Sequence, residues 1–249
     1  MLTQPHISVH DSPRDLARKC GALYVCPKDK DGNRLGPLAA YSARYEPDKH
    51  WVGDDYVDFA KVEQWPYVCA KHVVGPLLYK VKERLRNFHQ VVWCGMPEGG
   101  RTLAALLAET SRMRCIYPEK TVVEESTPTS RAKTAPRFTG RHSIIPNDDI
   151  ILVEDVSNNF STTDGGMGEV GRYGGNVIAI VSFLNRSPTV RDRFDSIYGS
   201  VPVISLWNEA LPEYRQDDPY VARDVARGNV AWSPKLEWDR LQNLMKQPA

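Results

Sequence analysis

The chain has 249 residues, 41% hydrophobic and 25% charged, which suits one large soluble domain or a core with appendages. Its 32 basic and 31 acidic residues leave a net charge of +1, so no global field draws it to nucleic acid or a membrane surface. No apolar run approaches the ~20 residues that cross a bilayer, and the opening segment lacks the basic flank and apolar stretch of a signal peptide, so a cytoplasmic protein is expected.

The five cysteines, Cys20, Cys26, Cys69, Cys94 and Cys115, are odd in number and scattered, which reads as reduced thiols. Cys20 and Cys26 have no second cysteine pair to complete a zinc site. Residues 12–26 read as a short helix, with Asp11 or Ser12 as cap, Pro13 in the first turn, and Leu16, Ala17 and Cys20 as apolar stripe. Lys28 to Asn33 is a turn-rich hairpin loop or insertion. Tyr56-Val57-Asp58-Phe59 alternates as a strand does. From Trp65 to Phe88, Val68, Val73, Leu77, Leu78, Val81 and Leu85 recur at helical spacing, with basic residues gathering toward the C-terminal end.

Four continuous apolar runs follow: Val91–Cys94, Ile150–Val153, Val177–Val181 and Val201–Leu206. Helix-like stretches sit among them, one at Leu103–Ala108 and a glycine-containing one reaching about Tyr173. This is the pattern of an α/β fold whose central, mainly parallel sheet is flanked by helices. Such sheets bind ligands beyond the C-terminal ends of their strands. Residues 118–142, rich in Ser, Thr, Pro and basic side chains, read either as a functional lid or as a β-hairpin excursion. The tail carries Pro212, Pro219 and Pro234, a polar stretch Tyr214–Pro219 able to fold over a site, and a final helix near Leu236–Lys246. The division expected is an N-terminal hood or insertion (1–54), a core (55–206) and a C-terminal extension (207–249).

The strongest chemical signal is the run Ile150 to Val156 with the polar residues after it. Glu154 and Asp155, adjacent at a strand end, cannot both be buried without partners. Alternation points them to opposite sides, yet both can reach a ligand lying across the strand tip. Ser157, Asn158, Asn159, Ser161 and Thr162, at the start of a helix, can donate to a phosphate. Carboxylates for sugar hydroxyls beside donors for a phosphate describe a ribose-phosphate site; a solvated turn after a strand is the plainer alternative. Upstream, Gly95, Gly99 and Gly100 permit close backbone approach in the loop Cys94–Arg101, and Arg101 adds a charge.

The Ile150–Thr163 segment resembles the phosphoribosyl-pyrophosphate motif of type I phosphoribosyltransferases: four apolar residues, two acidic ones, then a Thr/Gly-rich phosphate loop. Asn158, Asn159 and Phe160 stand where that family has two threonines and a glycine. Over about residues 55–206 the order of features is most similar to orotate phosphoribosyltransferases. The resemblance implies Glu154 and Asp155 on the ribose hydroxyls, with Ser157 through Thr162 around the 5-phosphate. It implies Met96, Pro97, Glu98, Gly99, Gly100 and Arg101 as the pyrophosphate loop, often built on a non-proline cis peptide. Phe59 and Arg186 would bind the base, Arg186 through an anionic group on it. Lys120 and Asp155 would be catalytic, and Arg131, Lys133, Arg137 and Arg141 would supply charge from the lid. Mg²⁺ is implied, held by pyrophosphate and water rather than by side chains. The implied ligands are phosphoribosyl pyrophosphate and a nitrogenous base such as orotate, in a homodimer with no membrane or nucleic-acid partner. Two other readings stay open. One is a non-catalytic member of the fold that senses nucleotide or phosphoribosyl pyrophosphate for a partner; the other is an α/β hydrolase using Asp155 as base.

Overall fold

The four apolar runs are strands of one sheet in the computed structural model, which describes residues 4–46, 48–85, 88–124 and 133–246. Ahead of the sheet come α1 (Pro13–Lys19), β1 (Leu23–Val25), β2 (Leu38–Glu46), β3 (Lys49–Gly53), β4 (Asp55–Val57), α2 (Ala60–Glu63), α3 (Pro66–Cys69) and α4 (Gly75–Arg84). The central part is β5 (Val91–Gly95), α5 (Gly100–Ser111), β6 (Arg114–Ile116), β7 (Glu119–Glu124), β8 (Lys133–Arg137), β9 (Asp149–Ser157), α6 (Ser161–Arg172), β10 (Asn176–Asn185), β11 (Arg193–Ser196) and β12 (Gly199–Asn208). The tail adds α7 (Ala222–Ala226), β13 (Val230–Ala231) and α8 (Trp238–Leu244).

The main sheet runs β11-β12-β10-β9-β5-β6, parallel throughout except for the antiparallel edge strand β11. Its strands are continuously apolar because both faces are covered, and successive side chains go to opposite faces. Trp93, Ile151, Val153, Val181 and Ile204 pack against Leu77 and Val81 of α4 and Leu103 and Leu107 of α5. Val92, Ile150, Leu152, Ile180 and Val203 pack on the other face, against Met167 and Val170 of α6.

Several elements depart from the sequence reading for local reasons. The first helix stops at Lys19, since Gly21 takes φ +66 and the chain then extends as β1. Ser12 is its cap, its side chain accepting from the Asp15 N–H. The long helix of 65–88 is interrupted by a π-turn at Ala70–Val74, where Gly75 N–H donates to the Ala70 carbonyl. Pro76 follows it and brings no N–H to the preceding turn. The helix ends at Arg84, with Leu85 extended. The strand expected at 56–59 starts at Asp55 and stops at Val57. Between β10 and β12 the chain makes the strand β11, antiparallel to β12, an element not read from the sequence. Of the two readings of 118–142, a hairpin is what forms: β7 pairs antiparallel with β8, Thr121 opposite Ala135.

The two ends of the chain meet. β13 joins β2 and β3 in a separate three-stranded sheet, Val230 pairing with Leu38. Trp238 and Leu241 of α8 pack on Tyr24 and Ala39, and Trp238 Nε1 donates to the Gly21 carbonyl at 2.9 Å. Arg34 is ion-paired with Asp54 (2.5 Å) and Asp224 (3.0 Å) and lies over the Tyr220 ring. All five cysteines are free. Among the described residues no helix is long and apolar enough to cross a membrane.

Glycine substitutions separate close approach from mere helix placement. A Cβ on Gly100 would overlap the Val153 carbonyl, where α5 begins against β9, whereas a Cβ on Gly171 near the exposed end of α6 meets nothing. Gly100→Ala is expected to cost about 3 kcal/mol, and Gly171→Ala to stabilise by about 0.5–1 kcal/mol. Urea denaturation of both variants checks the pair, and equal effects would contradict the packing described.

Candidate functional site

The sheet opens where its central strands end at different heights. β5 pairs with β9 only as far as Gly95 opposite Val153, while β9 and β10 remain paired to Ser157 and Asn185. Asp155 therefore has no strand neighbour on its β5 side. The space is a cavity of about 680 Å³, within the range of small-ligand sites, with Glu154, Asp155, Lys120, Arg186 and Lys235 among its charged lining.

Alternation along β9 decides where the two carboxyls point. Glu154 continues the Ile150–Leu152 face toward α6, and Thr163 Oγ1 donates to its Oε1 at 3.4 Å. Asp155 continues the Ile151–Val153 face and lies against Gly99, where any Cβ would overlap its carboxylate. Both open into the same cavity. Burial raises the Glu154 carboxyl well above the usual range, the Asp155 charge adds to this, and Thr163 opposes it. Burial also raises Asp155, against the Val156 N–H and the charge of Lys235. A ligand that brings hydroxyl donors and cations would favour the ionised forms.

The loop after β9 makes a tight turn with a phenylalanine at its apex. Phe160 takes the left-handed conformation (φ 57, ψ 13) ahead of α6, and its buried ring stacks on Phe194 at 5.0 Å. Asn159 Oδ1 accepts from the Ser161 N–H and hydroxyl at 3.2 and 3.0 Å. Asn158 Nδ2 donates to Glu213 Oε2 at 2.9 Å. Ser157 Oγ is buried without a partner, and Ser161 and Thr162 line the cavity at the start of the 12-residue α6.

The upstream loop is divided. Pro97, Glu98 and Gly99 line the cavity, and the Pro97–Glu98 peptide is cis. Met96 is buried against Gly166, and Gly100 packs on the β9 backbone. Arg101 turns away: its Nη2 donates to the Pro118 carbonyl at 3.0 Å and its guanidinium lies 4.8 Å over Tyr117.

Phe59 does not line the cavity. Because β4 ends at Val57, the chain turns into α2 and carries Phe59 into the core, 4.7 Å from Phe183. The aromatic surface of the cavity comes instead from Tyr41 and Tyr56, stacked at 6.1 Å. Arg186, just past β10, is over the Tyr41 ring at 3.6 Å and its Nη2 donates to Glu213 at 2.6 Å. From the β7–β8 hairpin, Lys120 and Thr134 line the cavity. Arg137 is held by Glu169 at 2.7 Å, and Arg141 lies 5.7 Å over Tyr117. Arg131 and the side chain of Lys133 fall outside the described residues.

Tyr41, Thr134, Glu213 and Lys235 are among the contributors not read from the sequence. Lys235 Nζ is 3.8 Å from Asp58 Oδ1. The polarity of 214–219 signalled a segment near the site, but nothing local marked the residue just before it. Among the described residues no group of three His, Cys, Asp or Glu side chains is placed to hold a metal ion.

Glu63, beside this acidic end, gives the pH signature. Burial first, then the Asp155 charge, pushes its carboxyl from 4.5 up to about 7. A raised acid contributes in full below its unfolded value, and the contribution is lost as pH rises through the folded one. Glu63→Gln is therefore expected to raise Tm relative to the parent at pH 7.5 and to leave the difference near zero at pH 4. A constant difference across that range would rule out Glu63 as the group responsible.

No protein-family model matches the chain, and no curated protein matches it. In structure it is similar to orotate phosphoribosyltransferase from Aeropyrum pernix, at 15% identity and TM-score 0.48 over 79% of this chain and 93% of that one. It is also similar to adenine phosphoribosyltransferase from Trypanosoma brucei, solved with AMP, pyrophosphate and ribose-5-phosphate, at 16% identity and TM-score 0.45 over 70% and 78%. A third likeness is to Leishmania donovani UMP synthase, at 10% identity and TM-score 0.46, over 93% of this chain and 41% of that one.

Proposed function

We propose that this protein transfers a 5-phosphoribosyl group from phosphoribosyl pyrophosphate to a nitrogenous base and releases pyrophosphate. One observation carries the reading. The Glu154 and Asp155 carboxyls leave opposite faces of β9 yet open into a single cavity, between the Phe160 loop and the Pro97–Gly99 loop. In this reading the two carboxyls hold the ribose hydroxyls. The first turn of α6 holds the 5-phosphate by its N–H groups and the Thr162 hydroxyl, Ser161 exchanging its two bonds to Asn159 for the phosphate. Backbone at Glu98 and Gly99 and the Lys120 ammonium face pyrophosphate.

The base nitrogen attacks C1 as the C1–O bond to pyrophosphate breaks, and the proton of the base nitrogen leaves to water. Positive charge builds on the sugar beside the two ionised carboxylates while negative charge grows next to Lys120, so catalysis rests on positioning and electrostatics. Mg²⁺ would be held by pyrophosphate and water, with the cavity oxygens of Glu98 and Asp155 facing its hydration shell, and would supply neutralisation of the leaving group. The hairpin β7–β8, which brings Lys120 and Thr134, is the element suited to exclude water. The same proposal takes the protein as a cytoplasmic homodimer, with 1–54 and 207–249 as hood and extension around a 55–206 core. The finer expectation, orotate as the base, rests on Arg186 alone, and the Glu213 carboxylate held on that guanidinium counts against it.

A second reading, a non-catalytic sensor of the same ligands, is favoured by the engagement of Asn158 with Glu213 and of Arg137 with Glu169. Calorimetry with Mg²⁺ and phosphoribosyl pyrophosphate, followed by pyrophosphate release over a panel of bases, separates the two. Binding with turnover is expected, and Asp155→Asn should lower kcat/KM by about a hundredfold. Binding without turnover would favour the sensor. Unchanged affinity in Asp155→Asn would remove the ribose site altogether.

A further inference from the structure

Arg186 is the cation at the base end of the cavity, and it is already matched. Its side chain is 7% exposed and its Nη2 donates to Glu213 Oε2 at 2.6 Å, the same oxygen that accepts from Asn158 at 2.9 Å. Above it lies the Tyr41 ring, whose hydroxyl is fixed on the Asp55 carbonyl at 2.6 Å. Another Arg186 donor, Nε, is buried without a partner.

Glu213 is held from both sides along the chain. Leu211, two residues before it, is in the main core. Tyr214, immediately after it, exchanges two backbone hydrogen bonds with Val52, at 2.8 and 3.0 Å. Between them the Pro212 carbonyl packs so close to Gly53 that a Cβ there would intrude. The carboxylate is thus presented to Arg186 by an anchored stretch of tail.

We infer that Glu213 sets the substrate class of the site by neutralising Arg186, so that the base accepted carries no anionic group. This rests on the proposed phosphoribosyl site and narrows it. A carboxylate on the incoming base would meet Glu213 across one guanidinium, and like charges brought together in a buried site oppose binding. Discrimination by a repulsive group is a common route to specificity. An uncharged heterocycle meets no such opposition, and Tyr56, beside Tyr41, adds a ring to the cavity wall there.

The test uses nucleoside 5′-monophosphates, since uridine and orotidine 5′-monophosphate differ by the carboxylate alone and adenosine 5′-monophosphate covers the purines. Calorimetry on the full chain is expected to show at least one uncharged-base nucleotide binding roughly tenfold or more tightly than orotidine 5′-monophosphate. In Glu213→Gln, which keeps the shape and removes the charge, that ratio should move toward orotidine 5′-monophosphate by about tenfold. Phosphoribosyl pyrophosphate binding by the variant shows that it is folded; if it binds none, the wild-type ratio decides alone. Orotidine 5′-monophosphate binding tightest to the wild type overturns the inference, as does a folded Glu213→Gln with the ratio unchanged. If the wild type binds neither phosphoribosyl pyrophosphate nor any nucleotide, the phosphoribosyl reading falls and this inference with it. If phosphoribosyl pyrophosphate binds and orotidine 5′-monophosphate still wins, only the inference about Glu213 falls.

Discussion

Everything at the cavity depends on two carboxyls being carried out of a fully buried strand. β9 is covered on both faces and paired on both edges, so Ile150 to Val153 have no exposure, and the chain passes from that interior directly to Glu154 and Asp155. An ionised carboxylate without partners cannot be kept in such surroundings at acceptable cost, so both groups bind protons more tightly than free carboxyls do. The protein has placed its most costly polar groups where a ligand can solvate them. Thr163 gives Glu154 one long hydrogen bond, and the Val156 N–H and the charge of Lys235 act on Asp155, yet burial outweighs them at both carboxyls.

The cavity owes its depth to a difference in strand length and its walls to chain ends. β5 stops two residues short of Asp155 and turns into α5, so the loop of Pro97 to Gly99 takes the place a strand would have filled. The opposite wall is Tyr41 from β2 and Lys235 from the segment before α8, joined by the contacts of β13 with β2 and of Arg34 with Asp54 and Asp224. Removing the tail would therefore take away both Lys235 and the anchored Glu213. The segments before β4 and after β12 thus support the site together even though most of the chain separates them.

How much of this was legible follows from the range of each signal. The strands were legible because a run covered on both faces is apolar at every position, and Ile150–Val153 is such a run. The acidic pair was legible because charge at the end of such a run has no packing explanation. Phe59 was misplaced because Tyr56 to Phe59 alternates like a strand, while the chain turns at Asp58 in response to the core around Phe183. Arg101 looked like a pyrophosphate ligand by position, but Tyr117 and the Pro118 carbonyl hold it elsewhere. Tyr41, Glu213 and Lys235 reach the site through pairings far apart in sequence, such as Val52 with Tyr214, and no local pattern encodes those.

Phe160 shows how a left-handed backbone shape can be held without the residue type that most readily adopts it. A non-glycine residue in the left-handed region costs about 1–3 kcal/mol. Burying a phenylalanine ring contributes about 1.5–3 kcal/mol, and an aromatic pair such as Phe160 with Phe194 adds about 0.5–1.5 kcal/mol. The two sides are of the same size, so the turn ahead of α6 can be kept with Phe at its apex, provided the ring goes into the core. It does, beside Met167 and Val170. The conformation of the loop is thus secured by packing beneath it instead of by glycine freedom. A loop held from below loses less on binding a ligand than a flexible one, because its order is already present beforehand.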